Sequence, residues 1–363
     1  MESPCILVKT PLGMENIVAA RINEELPWTH VEPSPRGFKG LVLVYRCKSR
    51  DDMEIVSRRI VEADKILWIE ATVKADPKAI GVEAAKVAVR HITPGECFAI
   101  RTTRRGKHSF TSIDVNVVAG KYVKDSTGAC VNLNYPDKVI AVEIIGGEAH
   151  ISVYPGALEW RKMRPGKNPV YTLFRRISVV QMPYLGPLDA CRNMGVRIGR
   201  EIQNFEVREL VVAPIGLIDA VQLLEFLKGV IEGIESRYEV QRRSYYRKPW
   251  RVPVYLQDLH QLVRDRYREP IVVMEPEGEH VSKVADELWR LVQSSKRVNV
   301  LVGSREGIPP GVYRHASLVV DVAPGVTIST DYAAASALIA MATVLHDKLG
   351  GLELEDTGST GGR

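Results

Sequence analysis

From Ile100 to Phe110 the chain reads Ile-Arg-Thr-Thr-Arg-Arg-Gly-Lys-His-Ser-Phe, so Arg101, Arg104, Arg105 and Lys107 put four cations on a strand-and-turn element. Fixed cations can neutralise phosphates, and His108 beside them can hydrogen-bond or stack. A second basic run interleaves Arg242, Arg243, Arg247 and Lys248 with the aromatic residues Tyr246 and Trp250. Cations alternating with aromatic faces suit RNA, whose bases stack while its phosphates pair with arginine. A mobile surface loop or a subunit contact would carry the same composition. Three loops then offer a different chemistry: Glu275–Gly278, Gly303–Pro310 and Ala323–Thr330, each rich in Gly or Pro and each closing an apolar run. Glycines such as Gly278, Gly303, Gly307 and Gly325 let a backbone approach a ligand closely. Val302, Ile308, Val322 and Val326 add apolar contacts.

Several chemistries have no residues to support them. The five cysteines, Cys5, Cys47, Cys97, Cys130 and Cys191, are scattered without a CxxC pair. They read as buried reduced thiols, not as zinc ligands or a disulfide framework. There is no ligand-spaced His/Cys cluster, and no metal is expected. A nucleotide-dependent thiolation enzyme would need a GxxxxGK[ST] run and a reactive cysteine pair, and neither is present. No GxGxxG follows the first strand of either half, against a dinucleotide oxidoreductase. No apolar run is long enough to span a bilayer, and the N-terminus lacks a signal-peptide layout, so a cytoplasmic protein without a membrane partner is expected. The net charge of +5 over 363 residues is mild. Its clustering says more, because grouped Lys and Arg mark a phosphate-binding surface.

The elements that must position these residues follow from periodicity. Ile6–Lys9 and Gly40–Tyr45 read as strands, Glu15–Leu26 and Asp51–Ala63 as helices, the second capped by Asp51 or Asp52. That alternation suggests a small ferredoxin-like α+β domain at 1–65. Helix Pro77–His91, strand Cys97–Thr103, a turn Arg104–His108, helix Ser112–Tyr122 and strands Val139–Ile145 and His150–Tyr154 make a second unit at 66–155. Pro, Gly and Arg enrich a linker at 156–172. Beyond it, strands Ile177–Gln181, Leu210–Ala213, Ile271–Met274, Val298–Val302 and Leu318–Val322, with a long helix Pro187–Gln203, predict a parallel sheet covered on both faces at 173–350. Ligands of such sheets sit beyond the carboxyl ends of the strands, where the three loops lie. The small, polar segment 351–363 reads as a disordered tail.

With Ser112-Ile113-Asp114, Gly120 and the run Val131–Asp137, the basic element closely resembles the THUMP domain over about Ile66 to Tyr154. The resemblance implies an RNA-binding module of a tRNA-modifying enzyme, preceded by a ferredoxin-like domain and recognising the tRNA acceptor end. The loops within 272–278, 300–308 and 320–332 resemble the SPOUT methyltransferases, whose trefoil-knotted region binds S-adenosylmethionine. That likeness covers about Arg176 to Leu349. It implies cofactor contacts from Met274, Glu275, Pro276 and Gly278, and from Val302, Gly303, Glu306, Gly307 and Ile308. Val322, Ala323, Pro324, Gly325, Val326, Thr327, Ser329 and Thr330 complete the implied set. A sulfonium donor is already activated, so such a protein mainly positions the reactants and removes a proton.

Asp331 stands where the knotted tRNA guanine methyltransferases carry their catalytic aspartate, which implies a general base; a helix N-cap is the other reading of an Asp here. Those relatives carry an arginine after the Glu-Gly-Ile element. This chain has Pro309-Pro310-Gly311 there, and Arg314 is the nearest candidate. Ribose-methylating relatives have an Asn where Ser329 stands and use an N-x-G element leading to a helical arginine. Asn193-Met194-Gly195 resembles it, with Arg197 or Arg200 as the arginine. SPOUT resemblance also implies a homodimer. The expected protein is therefore an α/β chain whose N-terminal half docks tRNA and whose knotted domain methylates a base or ribose. Its rival is a noncatalytic tRNA-binding protein with a degenerate SPOUT domain.

Overall fold

The structure is a computed structural model that describes residues 2–245 and 247–351. Tyr246 and the tail from 352 onward, both singled out above, lie outside the described residues. The chain divides between Pro165 and Gly166 into two compact units.

The first unit opens with strand, helix, two strands, helix and strand: Ile6–Lys9, Glu15–Glu25, His30–Pro33, Leu41–Tyr45, Arg50–Arg59 and Lys65–Trp68. The strands form one antiparallel sheet with Ile6–Lys9 and Leu41–Tyr45 central, which is ferredoxin-like connectivity. His30–Pro33 and Lys65–Trp68 escaped the sequence reading because they are short and carry little alternation. Ser49, not Asp51 or Asp52, caps the helix Arg50–Arg59, its hydroxyl accepting from the Asp51 amide at 3.1 Å.

A five-stranded mixed sheet follows, in the order Ala71–Lys74, Glu148–Pro155, Lys138–Ile145, Cys97–Arg105, Cys130–Val131. Helices Pro77–His91 and Ser112–Thr127 cover one face through Ile80, Ala84, Val115 and Ala119. The latter begins with a capping box between Thr111 and Asp114. The other face, through Val139, Ala141, Ile145 and Tyr154, packs on Leu7, Leu41 and Leu43 of the first sheet. Strand Ile6–Lys9 is thus buried on both sides, Ile6 and Val8 toward their own helices and Leu7 toward the second sheet.

The expectation of reduced cysteines is wrong for four of the five. Cys5 is bonded to Cys47 and Cys97 to Cys130, leaving Cys191 free and buried. Cys97 and Cys130 are register partners on adjacent strands. Sheet pairing, invisible in linear spacing, closes sequence separations of 42 and 33 residues.

The second unit is a six-stranded sheet, parallel throughout, in the order Val254–Leu256, Glu209–Val212, Ile177–Gln181, Val298–Val302, Ile271–His280, Leu318–Asp321. Both faces are covered. Leu188–Phe205, Ala220–Ser244, Ala285–Ser294 and Thr330–Leu345 pack on one, Leu259–Asp265 and Pro310–Tyr313 on the other. Leu188–Phe205 and the 25-residue helix Ala220–Ser244 approach to backbone contact. A Cβ on Gly195 would lie 2.2 Å from the Phe226 carbonyl oxygen, and one on Gly229 would lie 2.2 Å from that of Arg192. Gly199 and Gly233 repeat this one turn on. No side chain larger than hydrogen fits at these four positions. Among the described residues, no helix is long and apolar enough to cross a membrane.

Candidate active site

The strand Ile271–His280 is interrupted near its carboxyl end. Met274 and Glu279 both pair with Val320, so residues 275–278 leave the ladder as an excursion. Gly278 lets it return, since a Cβ there would sit 2.4 Å from the backbone of Val319. The excursion carries Glu275 and Glu277 to a cavity of about 440 Å³, a size usual for small-ligand sites.

Across the cavity runs the loop after Val302. Gly303 is required there, because its Cβ would meet Glu275 Oε1 at 2.6 Å and Gly307 Cα at 2.8 Å. Gly307 adopts a φ of +70°. The Ile308 amide donates to Glu275 Oε1 at 2.6 Å, tying the two loops together. Burial, the largest influence, raises the Glu275 carboxyl above its ordinary value, with Glu277 adding to the Ile308-opposed shift. Tyr313 donates to Glu277 at 3.4 Å, and burial first, then these carboxylates, push its hydroxyl up to about 12. The lining holds four carboxylates, Glu275, Glu277, Glu306 and Asp321, against one guanidinium, Arg305. A larger recess of about 780 Å³ shares Ser304–Gly307 with the first and is otherwise walled by residues such as Met182, Leu185 and Ile215.

Of the residues expected to hold a cofactor, Met274, Glu275, Pro276, Val302, Gly303, Glu306, Gly307 and Ile308 line this cavity, as do Val322, Val326, Thr327 and Thr330. Gly278, Ala323, Pro324, Gly325 and Ser329 do not; they shape the backbone beside it. Glu277, Arg305, Tyr313 and Asp321 line it without having been singled out. Glu277, Arg305 and Asp321 lie inside the three loop runs, which was their signal, whereas Tyr313 was only adjacent to one.

Asp331 occupies the first turn of Thr330–Leu345, one residue inside the helix, and is not its N-cap, a place taken by Ser329. Its carboxylate accepts from Arg197 Nη1 at 3.1 Å and from the Ser329 hydroxyl at 2.8 Å. Burial would raise it, but these two donors prevail and hold it below the usual carboxylate value. Asp331 is not among the cavity-lining residues; Thr330 and Ala333 on either side are. Arg200, one turn beyond Arg197, is exposed and does not make this contact. Arg314 is exposed at the end of Pro310–Tyr313 and lies off the cavity. Among the described residues no group of His, Cys, Asp and Glu could hold a metal ion.

Two family matches bear on this geometry. Residues 171–362 match the family described as AF2226-like SPOUT RNA methylase fused to THUMP, and residues 74–154 match the THUMP domain. The chain belongs to the THUMP-fused SPOUT RNA methylases. An uncharacterized protein of Methanocaldococcus jannaschii is 40% identical over 337 residues, 92% of each chain. Shorter stretches resemble a tRNA (guanine(6)-N2)-methyltransferase of Archaeoglobus fulgidus, 45% identical over 65 residues covering 16% of this chain and 17% of that one. A probable tRNA sulfurtransferase of Moorella thermoacetica is 30% identical over 156 residues, 42% of this chain and 37% of its own.

In the THUMP domain the expected RNA-facing cations are mostly engaged within the fold. Arg104 and Arg105 belong to the strand Cys97–Arg105, which runs two residues past Thr103, and not to the turn. Arg101 donates to Glu159 at 3.2 Å and to the Leu133 carbonyl at 2.6 Å. Arg105 and Lys9 both pair with the buried Glu143. Arg104 leans on His108, whose Nε2 donates to the Gly146 carbonyl at 2.6 Å. Lys107 is exposed. Trp160, which the sequence reading passed over, is 101% exposed beside Arg161.

The second basic run is likewise built into the SPOUT domain. Arg242 and Arg243 end the helix Ala220–Ser244 and pair with Glu239. Arg247 forks onto Glu206 at 2.8 and 2.6 Å. The Trp250 indole donates to the Arg208 carbonyl at 3.2 Å and lies under Arg175. Arg247 and Trp250 therefore hold this segment in place, while Lys248 faces solvent.

Proposed function

We propose that this chain transfers a methyl group from S-adenosylmethionine to a nucleotide of tRNA, with the THUMP half docking the tRNA. The observation that carries the reading is the acidic cavity formed where the 275–278 excursion meets the Gly303–Ile308 loop. S-adenosylmethionine, when bound, supplies an electrophilic methyl on a positively charged sulfur. Four carboxylates against one guanidinium suit a cationic ligand in a partly desolvated cleft. Val302, Ile308, Val322 and Val326 give its uncharged parts apolar contacts, and the glycine-closed loop presents backbone amides and carbonyls.

Asp331 is the proposed proton acceptor. Held ionised by Arg197 and Ser329 beside the cavity wall, it is ready to take a proton from an attacking base or ribose group. The homodimer and knot expected of a SPOUT domain belong to the same proposal, a second copy completing the site near Arg197. Lys107, Lys248 and Trp160 are the exposed residues best placed in chemical type to meet RNA.

A binding-only protein draws support from one observation: Arg314 stands off the cavity where an active-site arginine was expected. The test is transfer of tritiated methyl to unmodified tRNA transcripts by the native chain and by Asp331→Ala. Transfer that collapses in the variant, with cofactor binding intact, supports the enzyme and its base. Tight tRNA binding without transfer to any tRNA selects the binding-only protein.

A further inference from the structure

We propose that the SPOUT domain has a further, anion-binding recess at the amino-terminal edge of its sheet, which takes a phosphodiester of the RNA; this rests on the tRNA-binding part of the reading above. Because every strand is parallel, the strand starts gather at one edge, opposite the cofactor cavity. Arg208 precedes Glu209–Val212, Glu269 and Pro270 precede Ile271–His280, and Lys296 and Arg297 precede Val298–Val302. With Arg268 they line a cavity of about 370 Å³ in which Arg297 is paired with Glu269 and Glu209, and Arg208 and Arg268 are the guanidinium groups left to receive an anion.

The Glu269 carboxylate is spent within the fold. Glu269 accepts from Arg297 Nε at 2.7 Å and from the Asn299 amide at 2.9 Å. Arg208 and Arg268 instead donate to neutral oxygens, Arg208 to the Lys296 carbonyl at 3.1 Å and Arg268 to the Tyr267 hydroxyl at 2.6 Å. Neither forms an ion pair with a carboxylate among the described residues. The surplus extends inward to Arg175, whose Nη1 is buried without a hydrogen-bond partner among the described residues. Burial first, and then Arg208 and Arg247 against the opposing Glu206, pull Arg175 below its ordinary value.

A phosphodiester offers oxygens for several such donors at once. Tyr267, 64% exposed with Arg268 over its ring at 5.2 Å, favours RNA over a free anion, since an aromatic face beside cations can stack a base. Helix ends also lie at this edge, and cations there offset the helix dipole. That role would show in melting temperature and not in RNA affinity.

The test compares the full chain with Arg208→Gln, Arg268→Gln and the double variant. Binding of an unmodified tRNA transcript is measured across a salt series, with S-adenosylmethionine affinity and melting temperature alongside. Loss of each phosphate contact should lower the salt slope by about 1. Arg268→Lys, which keeps the charge, should restore it, and cofactor affinity should not change. Unchanged tRNA affinity and slope in the double variant, with or without a lower melting temperature, overturns the recess. Binding of pyrophosphate at this site without an effect on tRNA overturns its assignment to RNA. A native chain that binds tRNA with the expected slope yet transfers no methyl sinks the methyltransferase and leaves the recess standing.

Discussion

Arg197, on the helix Leu188–Phe205, lies 3.1 Å from the carboxylate of Asp331, a residue 134 positions later in the chain. The pair is asymmetric: the Asp331 side chain is 8% exposed and the Arg197 side chain 67%. Solvent therefore screens the attraction, and its worth to stability is at most about 1 kcal/mol. Its effect on protonation matters more.

Arg197→Gln removes one of the two donors that depress Asp331, so its carboxyl rises toward the ordinary value. A depressed carboxyl contributes stability above its unfolded value and loses it as pH falls through the folded one. In the variant that contribution is smaller, and its loss is complete at a higher pH. If Asp331 is the base, the acid limb of the rate profile shifts upward too, while Arg200→Gln leaves the profile in place. Methyl-transfer rates from pH 4 to 8 check this; coincident acid limbs for Arg197→Gln and the native chain would remove Arg197 from the site.

Gly303→Ala should weaken S-adenosylmethionine binding by tenfold or more, about 1.4 kcal/mol or above. The added carbon would sit 2.6 Å from Glu275 Oε1 and push the excursion from the loop. Titration calorimetry measures it, and an unchanged affinity would place the cofactor elsewhere.

Glu275, raised by burial from an ordinary value of 4.5, gains its proton earlier than a solvated glutamate as pH falls. A cationic ligand should therefore bind progressively less well as pH drops from neutrality toward that value. Glu275→Gln should bind more weakly at neutral pH and flatten the dependence. A native affinity independent of pH over this range would exclude a charge role for this carboxylate.

Gly199→Ala places a methyl 2.2 Å from the Val230 carbonyl oxygen. Forcing the helices apart should cost about 1–3 kcal/mol or more. Calorimetric melting of the second unit should drop accordingly; an unmoved transition would mean that the helices separate easily.

Of the five cysteines, only Cys191 should react with a thiol reagent in denatured, unreduced protein, against all five after reduction. Each disulfide should add about 2–4 kcal/mol to the first unit. Melting with and without a reducing agent checks the size of the effect.

What could be read in advance follows a physical division. Strands Ile177–Gln181 and Val298–Val302 and helix Pro77–His91 stand where periodicity put them, because each presents a continuous apolar face. Helix Ala220–Ser244 went unread because part of its buried stripe is Gly229 and Gly233, which carry no hydrophobic signal. The loops around the cavity were legible from Gly and Pro after β-branched runs. That Arg197 and not Arg200 meets Asp331 depends on how one helix is rotated against another, and the partners of the cysteines depend on strand register. Both are properties of three-dimensional packing, as is the commitment of Arg247 and Trp250 to the fold.

The strand Ile6–Lys9, enclosed between its own helices and the neighbouring sheet, also limits how this chain can be divided. A THUMP sheet released from its companion would leave Val139, Ala141, Ile145 and Tyr154 wet, while the companion would expose Leu7, Leu41 and Leu43. The two parts are obligate neighbours: they should melt in a single transition, and any exchange of one between proteins would have to carry the other with it.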